Sequence, residues 1–177
     1  IARDAGCRAE IYHLKVAGQA NWAQLDHVLG RIETARAAGQ RITANMYAYT
    51  AAGTGLNATM PTWVQEGGLN AWINRLRDPG VRARLRREMN LPGKDWENFY
   101  RGAGSPDRIL LAGFRTDRLK PLTGRTLADV AASRKTSPEE TIMDLIIEDG
   151  SRVDAVFFLM SEDNVRRQLR LPWVSFG

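Results

Sequence analysis

The sequence has little of what metal and redox sites are usually built from. It contains one cysteine, Cys7, and two histidines, His13 and His27. A single cysteine excludes an internal disulfide and a cysteine-rich zinc motif, and it leaves the redox compartment open. We expect Cys7 to pack in the interior and His27 to lie on the surface. If the protein is a metal enzyme, most of its metal ligands lie outside this chain.

Long apolar runs, internal repeats and low-complexity segments are also missing. No run approaches the ~20 apolar residues that cross a bilayer, so we expect no membrane partner. The net charge is +5, and much of the positive excess lies in Arg82, Arg84, Arg86 and Arg87. We interpret these arginines as a solvated helix face; the alternative is a phosphate-binding patch. Neither aromatic interleaving nor a known motif supports that alternative, so we expect no nucleic-acid partner.

Both ends of the chain read as cuts through a longer protein. The sequence begins at Ile1 without a methionine, and Val174 opens a stretch that is typical of a truncated strand. We therefore expect an internal segment, and the localisation, cytoplasmic or periplasmic, stays open.

The first 49 residues predict a strand, a helix and a second strand. Residues 8–16 and 41–49 alternate as strands, and the first places His13 and Lys15 on one face. Asn21 is expected to cap the helix between them, which Gly39 ends. On the second strand, Asn45 and Tyr47 share a face. A strand–helix–strand unit implies parallel pairing.

The remaining residues predict an insertion followed by a return to regular order. Residues 50–62 look like a loop, and residues 50–125 are too long for an ordinary connection. We interpret 50–125 as a small α-rich insertion, placed where active-site lids occur. Asp78, Thr126, Ser137 and Ser161 are expected to cap helices, and Gly150 is expected to end one. Strands are expected at residues 153–160 and 173–176. The predicted fold class is α/β, a partial (β/α)8 (TIM) barrel made of segments 1–49 and 126–177.

His13 stands out because of its place in this pattern. It follows strand-type residues and precedes a Gly-containing loop and a helix. The carboxyl ends of strands are where α/β barrels carry their catalytic groups. The sequence therefore predicts that His13 belongs to a functional site.

Several motifs, in order, resemble the N-acyl-D-amino-acid deacylases (D-aminoacylases) of the amidohydrolase superfamily. The run Tyr12-His-Leu-Lys-Val-Ala-Gly18 is followed by Asn21-Trp22, and Tyr47-Ala-Tyr49 resembles that family's Tyr-Pro-Tyr segment. Residues 121–127 and 158–165 are similar to its later signatures. The resemblance extends nearly end to end and would make the chain about strands 5 to 8 of the barrel.

The resemblance implies a zinc-dependent hydrolase that cleaves the amide of N-acyl-D-amino acids. His13 then matches the family's metal-binding histidine of the fifth strand. The other ligands should precede Ile1 and the catalytic aspartate should follow Gly177, so no catalytic residue lies within the chain and the chain alone should be inactive. The family can carry a second metal-binding histidine near the end of strand six, where this sequence has Asn45-Met-Tyr-Ala-Tyr49 and no histidine. This absence puts a second metal in doubt, or moves its ligand elsewhere. We therefore expect one tightly bound zinc.

Three further residues are candidates for substrate binding. Lys15 could meet the substrate carboxylate or pair with an acidic neighbour, Tyr47 could line the pocket, and Ser161 could touch the ligand in addition to capping a helix. The expected partners are a small N-acyl-amino acid and the remainder of the parent barrel. The alternatives are a cyclic-amide hydrolase of the hydantoinase or dihydroorotase type, and a non-catalytic binding module that uses the basic helix.

Overall fold

The computed structural model describes all 177 residues as two compact units. The first comprises Ile1–Thr50 and Met160–Gly177, and the second comprises Ala51–Leu159. The strands are β1 Ala9–Ile11, β2 Ile42–Met46, β3 Ala51–Gly55, β4 Ile109–Gly113, β5 Asp154–Phe158 and β6 Val174–Phe176. The α-helices are α1 Leu25–Ala37, α2 Thr62–Gln65, α3 Gly68–Leu76, α4 Pro79–Met89, α5 Phe99–Ala103, α6 Leu127–Arg134, α7 Pro138–Asp149 and α8 Glu162–Gln168. Short 3-10 turns occupy Gln19–Gln24, Leu56–Thr59, Pro106–Arg108 and Asp117–Leu122. None of the helices combines the length and the apolar character needed to span a membrane.

The first unit contains a three-stranded parallel sheet with the order β1-β2-β6. Ala44 in the central strand pairs with Ile11 on one side and Val174 on the other. Helix α1 packs on this sheet through Leu25, Leu29 and Ile32, and the buried cluster also includes Leu14, Val16, Ile42, Ala44 and Trp173. Burying a side chain of this size contributes about 1.5–3 kcal/mol. The apolar period of the helix therefore fixes α1 against the strands.

The amino-terminal end of α1 differs from the expectation. A 3-10 turn precedes the helix, which begins at Leu25, and the Asn21 amide donates to the Ala17 carbonyl oxygen at 2.9 Å. The prediction that Asn21 caps the helix is therefore wrong, because its side chain bonds locally to the preceding loop. The other end agrees: α1 stops at Ala37, and Gly39 has a φ of +86°.

The second unit contains a three-stranded antiparallel sheet with the order β3-β5-β4. The expected strand at residues 153–160 exists as β5, but it is the central strand of this sheet. Its interpretation as a parallel barrel strand is therefore wrong. An apolar run indicates that a strand is buried. It does not indicate which strands lie beside it, because those strands can be distant in the sequence. The three parallel strands of the first unit do not by themselves establish a partial barrel.

Strand β3 lies where the sequence predicted a loop. Its Ala-Ala-Gly-Thr-Gly composition is poor in strand-forming residues, so the pairing with β5 overrides local preference. Gly55 permits a close approach, since a Cβ there would lie 2.6 Å from Asn57 Oδ1 and 2.9 Å from the Arg152 Cβ. The second unit ends at Leu159, so residues 126–159 lie with the segment predicted as an insertion. This boundary differs from the expected one at 125.

The predicted helix caps are largely confirmed. Asp78, Thr126, Ser137 and Ser161 each accept a main-chain N–H from the first turn of α4, α6, α7 and α8, respectively. Thr126 forms a reciprocal capping box with Asp129. Gly150 ends α7 in the left-handed conformation. Helix ends that are fixed by nearby polar side chains or by glycine could thus be predicted from the sequence.

Candidate functional site

His13 lies just beyond the carboxyl end of β1. The strand ends at Ile11, and Tyr12 and His13 form a turn in which His13 has a φ of +55°. The strand is shorter than the alternation over residues 8–16 predicted. The prediction that His13 and Lys15 share a face of a strand is therefore wrong, since His13 lies in a turn and Lys15 in the irregular segment that follows it. A left-handed conformation is uncommon for a residue other than glycine and requires support from its surroundings.

That support comes from the neighbouring strand and from Lys15. The Asn45 side-chain Oδ1 accepts the His13 N–H at 2.6 Å, and the Asn45 carbonyl oxygen accepts the Leu14 N–H at 2.8 Å. The Lys15 Nζ donates to the His13 carbonyl oxygen at 3.1 Å. Both peptide groups that flank the His13 Cα are therefore hydrogen-bonded. Leu14 is buried and anchors the turn in the core of the first unit.

The His13 ring belongs to a row of aromatic side chains. It stacks on Tyr12 with a centroid distance of 3.8 Å and meets the edge of Tyr47 at 5.1 Å. Tyr47 in turn stacks on Tyr49 at 4.4 Å, and the Lys15 Nζ lies 5.4 Å from the Tyr47 ring centroid. The residues Tyr12, His13, Lys15, Asn45, Tyr47 and Tyr49 form what we call the strand-end cluster. It occupies the carboxyl ends of β1 and β2, the edge where parallel strands present functional groups.

The surroundings of the Tyr47 phenol favour its protonated form. Burial of its ring, and to a lesser degree repulsion from a charged Tyr49, raise the pKa of the Tyr47 phenol above its usual value. Both causes disfavour the phenolate. Since an unperturbed tyrosine already has a pKa near ~10, Tyr47 is a neutral hydroxyl at any physiological pH. A neutral phenol can donate a hydrogen bond, and the Tyr47 ring makes an edge-type contact with the His13 ring.

Ser161 has a structural position at the start of α8. Its Oγ accepts the Asn164 N–H at 3.4 Å, and the Asn164 amide donates to the Trp22 carbonyl oxygen at 2.9 Å. Ser161 therefore helps to tie α8 to the turn before α1 within the first unit. Its expected contact with substrate stays a prediction, whereas its expected role as a cap is confirmed.

The chain's own residues do not form a zinc site. No three side chains among His, Cys, Asp and Glu lie close enough together to share a metal ion. A catalytic zinc site takes about three protein ligands, and the strand-end cluster supplies one imidazole. His27 is exposed on α1, as expected. Cys7 is also exposed, so the expectation that it packs in the interior is wrong.

Three of the four arginines of the basic helix α4 form ion pairs with acidic neighbours. Arg82 forms ion pairs with Glu140 and with Asp144, the latter at 2.8 Å, and only 17% of its side chain is exposed. Arg86 also reaches Glu140, and Arg84 pairs with Glu88. The interpretation as a solvated face is thus wrong for Arg82. Paired guanidinium groups are poorly placed to hold an external phosphate, which argues against the phosphate-binding alternative.

Asn45 was not recognised from the sequence as a site residue. The sequence placed Asn45 only on the strand face that it was expected to share with Tyr47. The available signal was a short amide side chain at the end of a strand, because such side chains favour bonds to nearby main-chain groups. The left-handed turn that Asn45 supports could not be anticipated from alternation over residues 8–16.

Comparison with solved structures identifies the fold. The chain superposes on N-acyl-D-glutamate deacylase from Bordetella bronchiseptica, complexed with zinc and a phosphonate mimic of the tetrahedral intermediate, with a TM-score of 0.63 and 21% identity. D-aminoacylase, reported as defining a novel subset of amidohydrolases, gives a TM-score of 0.60 and 22% identity. A further D-aminoacylase structure, which addresses its binuclear metal centre, gives the same TM-score and identity. Each alignment covers 99% of this chain.

The chain spans only 27% of the length of these enzymes. No family model and no curated protein matches the sequence. At this level of identity the likeness establishes the fold alone. The resemblance to the D-aminoacylases, first seen in the motifs, is confirmed as a structural one: the chain has the fold of a part of these amidohydrolases.

Proposed function

We propose that this chain is a segment of a larger, zinc-dependent amidohydrolase that hydrolyses the amide of N-acyl-D-amino acids. The observation that carries the proposal is the position of His13. Within a fold shared with part of the D-aminoacylases, His13 lies at the carboxyl edge of the parallel sheet, beside an aromatic and polar cluster. Structural neighbours bound to zinc or to copper support a metal-dependent parent protein.

The geometry of the strand-end cluster supports a separate role for each residue of the proposed site. His13 contributes one imidazole, and residues outside this chain contribute the remaining ligands of one tightly bound zinc. When bound, zinc acts as a Lewis acid and generates a nucleophile from water. Tyr47 is the hydrogen-bond donor that orients substrate. The Lys15 ammonium, which already contacts the His13 carbonyl oxygen, sets a positive potential that favours a carboxylate-bearing substrate.

The two alternative functions would each require a different feature of the structure. A cyclic-amide hydrolase would require a site that accepts a ring in place of a linear acyl-amide, and parallel assays with a hydantoin and an N-acetyl-D-amino acid distinguish the two substrates. A binding module for polyanions would require unpaired positive charge on α4. Arg82, Arg84 and Arg86 are in ion pairs, so three of the four arginines on α4 do not meet this requirement.

The test is a pair of histidine variants in the full-length protein. His13→Ala should lose bound zinc and turnover of N-acetyl-D-amino acids together, because an imidazole ligand is removed. His27→Ala is the matched control: the same chemical change on the exposed face of α1 should alter neither. Metal content by atomic emission and initial rates are measured on both. Full zinc occupancy in His13→Ala would reject the assignment.

A further inference from the structure

We propose that Asn45 is a positioning residue that fixes the His13 imidazole through the His13 main chain. The proposal rests on the proposed function for the role of His13 as a metal ligand. Its structural part stands on hydrogen bonds within the first unit. Asn45 thereby influences metal binding without being a ligand itself.

Asn45 holds two consecutive amides of the turn. Its side-chain Oδ1 receives the His13 N–H at 2.6 Å, and its main-chain oxygen receives the Leu14 N–H at 2.8 Å. Because Asn45 is part of β2, next to Ala44 that pairs with Ile11, it is itself fixed by the sheet. One residue of a rigid strand thus sets both the position and the direction of the turn.

The turn needs this support because of its conformation. A left-handed residue other than glycine is disfavoured by roughly 1–2 kcal/mol, and His13 has a φ of +55°. The bond to Asn45 fixes the amide before the His13 Cα, while the Lys15 Nζ fixes the carbonyl after it. The Cα–Cβ direction of His13 follows from these two peptide planes. The imidazole is then confined between Tyr12 and Tyr47.

The chemistry of the asparagine suits this role. An amide oxygen is a neutral acceptor, so it supports the His13 N–H without placing a negative charge beside a metal ligand. A residue that fixes a ligand in this way usually changes metal affinity about 10–100-fold when it is removed.

The experiment uses three variants at position 45 in the full-length protein. Asn45→Ala and Asn45→Leu remove the acceptor, and leucine retains the volume. Asn45→Asp keeps an oxygen acceptor. Thr43→Ala is the matched control on the same strand, since Thr43 bonds to Glu10 and not to the His13 turn. Hydrogen exchange resolved at the His13 amide and the zinc dissociation constant are measured for each, with circular dichroism to verify folding.

The expected result is that Asn45→Ala and Asn45→Leu accelerate exchange of the His13 amide by about tenfold and weaken zinc binding by roughly 10–100-fold. Asn45→Asp should retain slow exchange, and Thr43→Ala should match the wild type in both measurements. Unchanged exchange in Asn45→Leu would overturn the proposal. Faster exchange with unchanged zinc affinity would also overturn it, because the ligand would not depend on the support. If the wild type binds no zinc, the proposed function fails, and the exchange comparison then decides the role of Asn45 by itself.

Discussion

The carboxylate of Asp149 should be a major determinant of the stability of the second unit. Asp149 ends α7 and is buried. Its Oδ1 accepts the Thr116 N–H at 2.8 Å, and its Oδ2 accepts the Arg115 N–H at 3.1 Å together with the Ser151 hydroxyl. A negatively charged carboxylate near the carboxyl end of a helix interacts unfavourably with the helix dipole. Its presence there is explained by the donors that it satisfies.

The strength of these contacts determines how much the Asp149 carboxylate contributes to the free energy of unfolding. Burial alone would raise the pKa of Asp149, but the bonds from Ser151, Thr116 and Arg115 together outweigh it and hold the pKa below its usual value. A hydrogen bond to a charged group contributes about 1.5–3 kcal/mol net. Asp149→Asn keeps one acceptor oxygen and turns an NH2 group toward the remaining donors. We therefore expect a loss of about 2–4 kcal/mol of unfolding free energy, since the contributions are not additive.

The assay is urea unfolding at neutral pH and in acid. With a denaturant dependence of about 1–3 kcal/mol per molar urea, the midpoint should fall by roughly 1–2 M. Because the folded-state pKa is lowered, the stabilisation is present above the unfolded value of about 3.9 and is lost as the pH falls through the folded one. The difference between wild type and Asp149→Asn should therefore shrink below about pH 4.

The control is Asp95→Asn, the same change at an exposed carboxylate of the second unit. It should alter stability by less than about 0.5 kcal/mol. If Asp149→Asn is no less stable than Asp95→Asn at neutral pH, or if its deficit persists unchanged at pH 3, the carboxylate does not hold the turn as its contacts indicate.

Two further predictions concern the candidate site. Tyr47→Phe in the full-length protein should keep the fold and the zinc but lower turnover by about 10–1000-fold, as expected when one donor to a developing charge is removed; loss of zinc would make Tyr47 a ligand, and unchanged kinetics would limit it to packing. Ser161→Ala should lower the unfolding free energy by about 1 kcal/mol through loss of the α8 cap, and Ser161→Asp should restore it. An increased KM in Ser161→Ala at unchanged stability would instead indicate contact with substrate.

The helices of this chain could be predicted because their limits are chemical. Asp78 before a proline, Thr126 with Asp129, and Ser137 before an acidic first turn each satisfy a main-chain donor within a few residues. Such signals need no knowledge of the tertiary fold. The failure at Asn21 has the same origin, since its amide found a different local partner in Ala17.

The sheets could be predicted only in part because pairing is not local. The strand–helix–strand order of the first 49 residues indicated parallel pairing of β1 and β2, and the structure confirms it. The apolar run of β5 gave no indication that its neighbours would be β3 and β4, or that they would be antiparallel. Four of the five residues of β3 are alanine or glycine, which carry little strand signal of their own. The formation of β3 therefore depends on its antiparallel pairing with β5.

The backbone of His13 links the fold to the site more directly than the motifs do. Three residues other than glycine have a positive φ, namely His13, Lys135 and Val153. Lys135 is the C-cap of α6, and the Val153 N–H donates to the Ser151 hydroxyl, which in turn donates to Asp149. His13 lies in the turn after β1, where no helix terminus requires the conformation, and its N–H and carbonyl oxygen bond to Asn45 and Lys15. Strain that surrounding residues maintain at the carboxyl edge of a parallel sheet is typical of a side chain held for chemistry. This is why His13, and not the equally rare His27, is the residue on which the function of the chain should be tested.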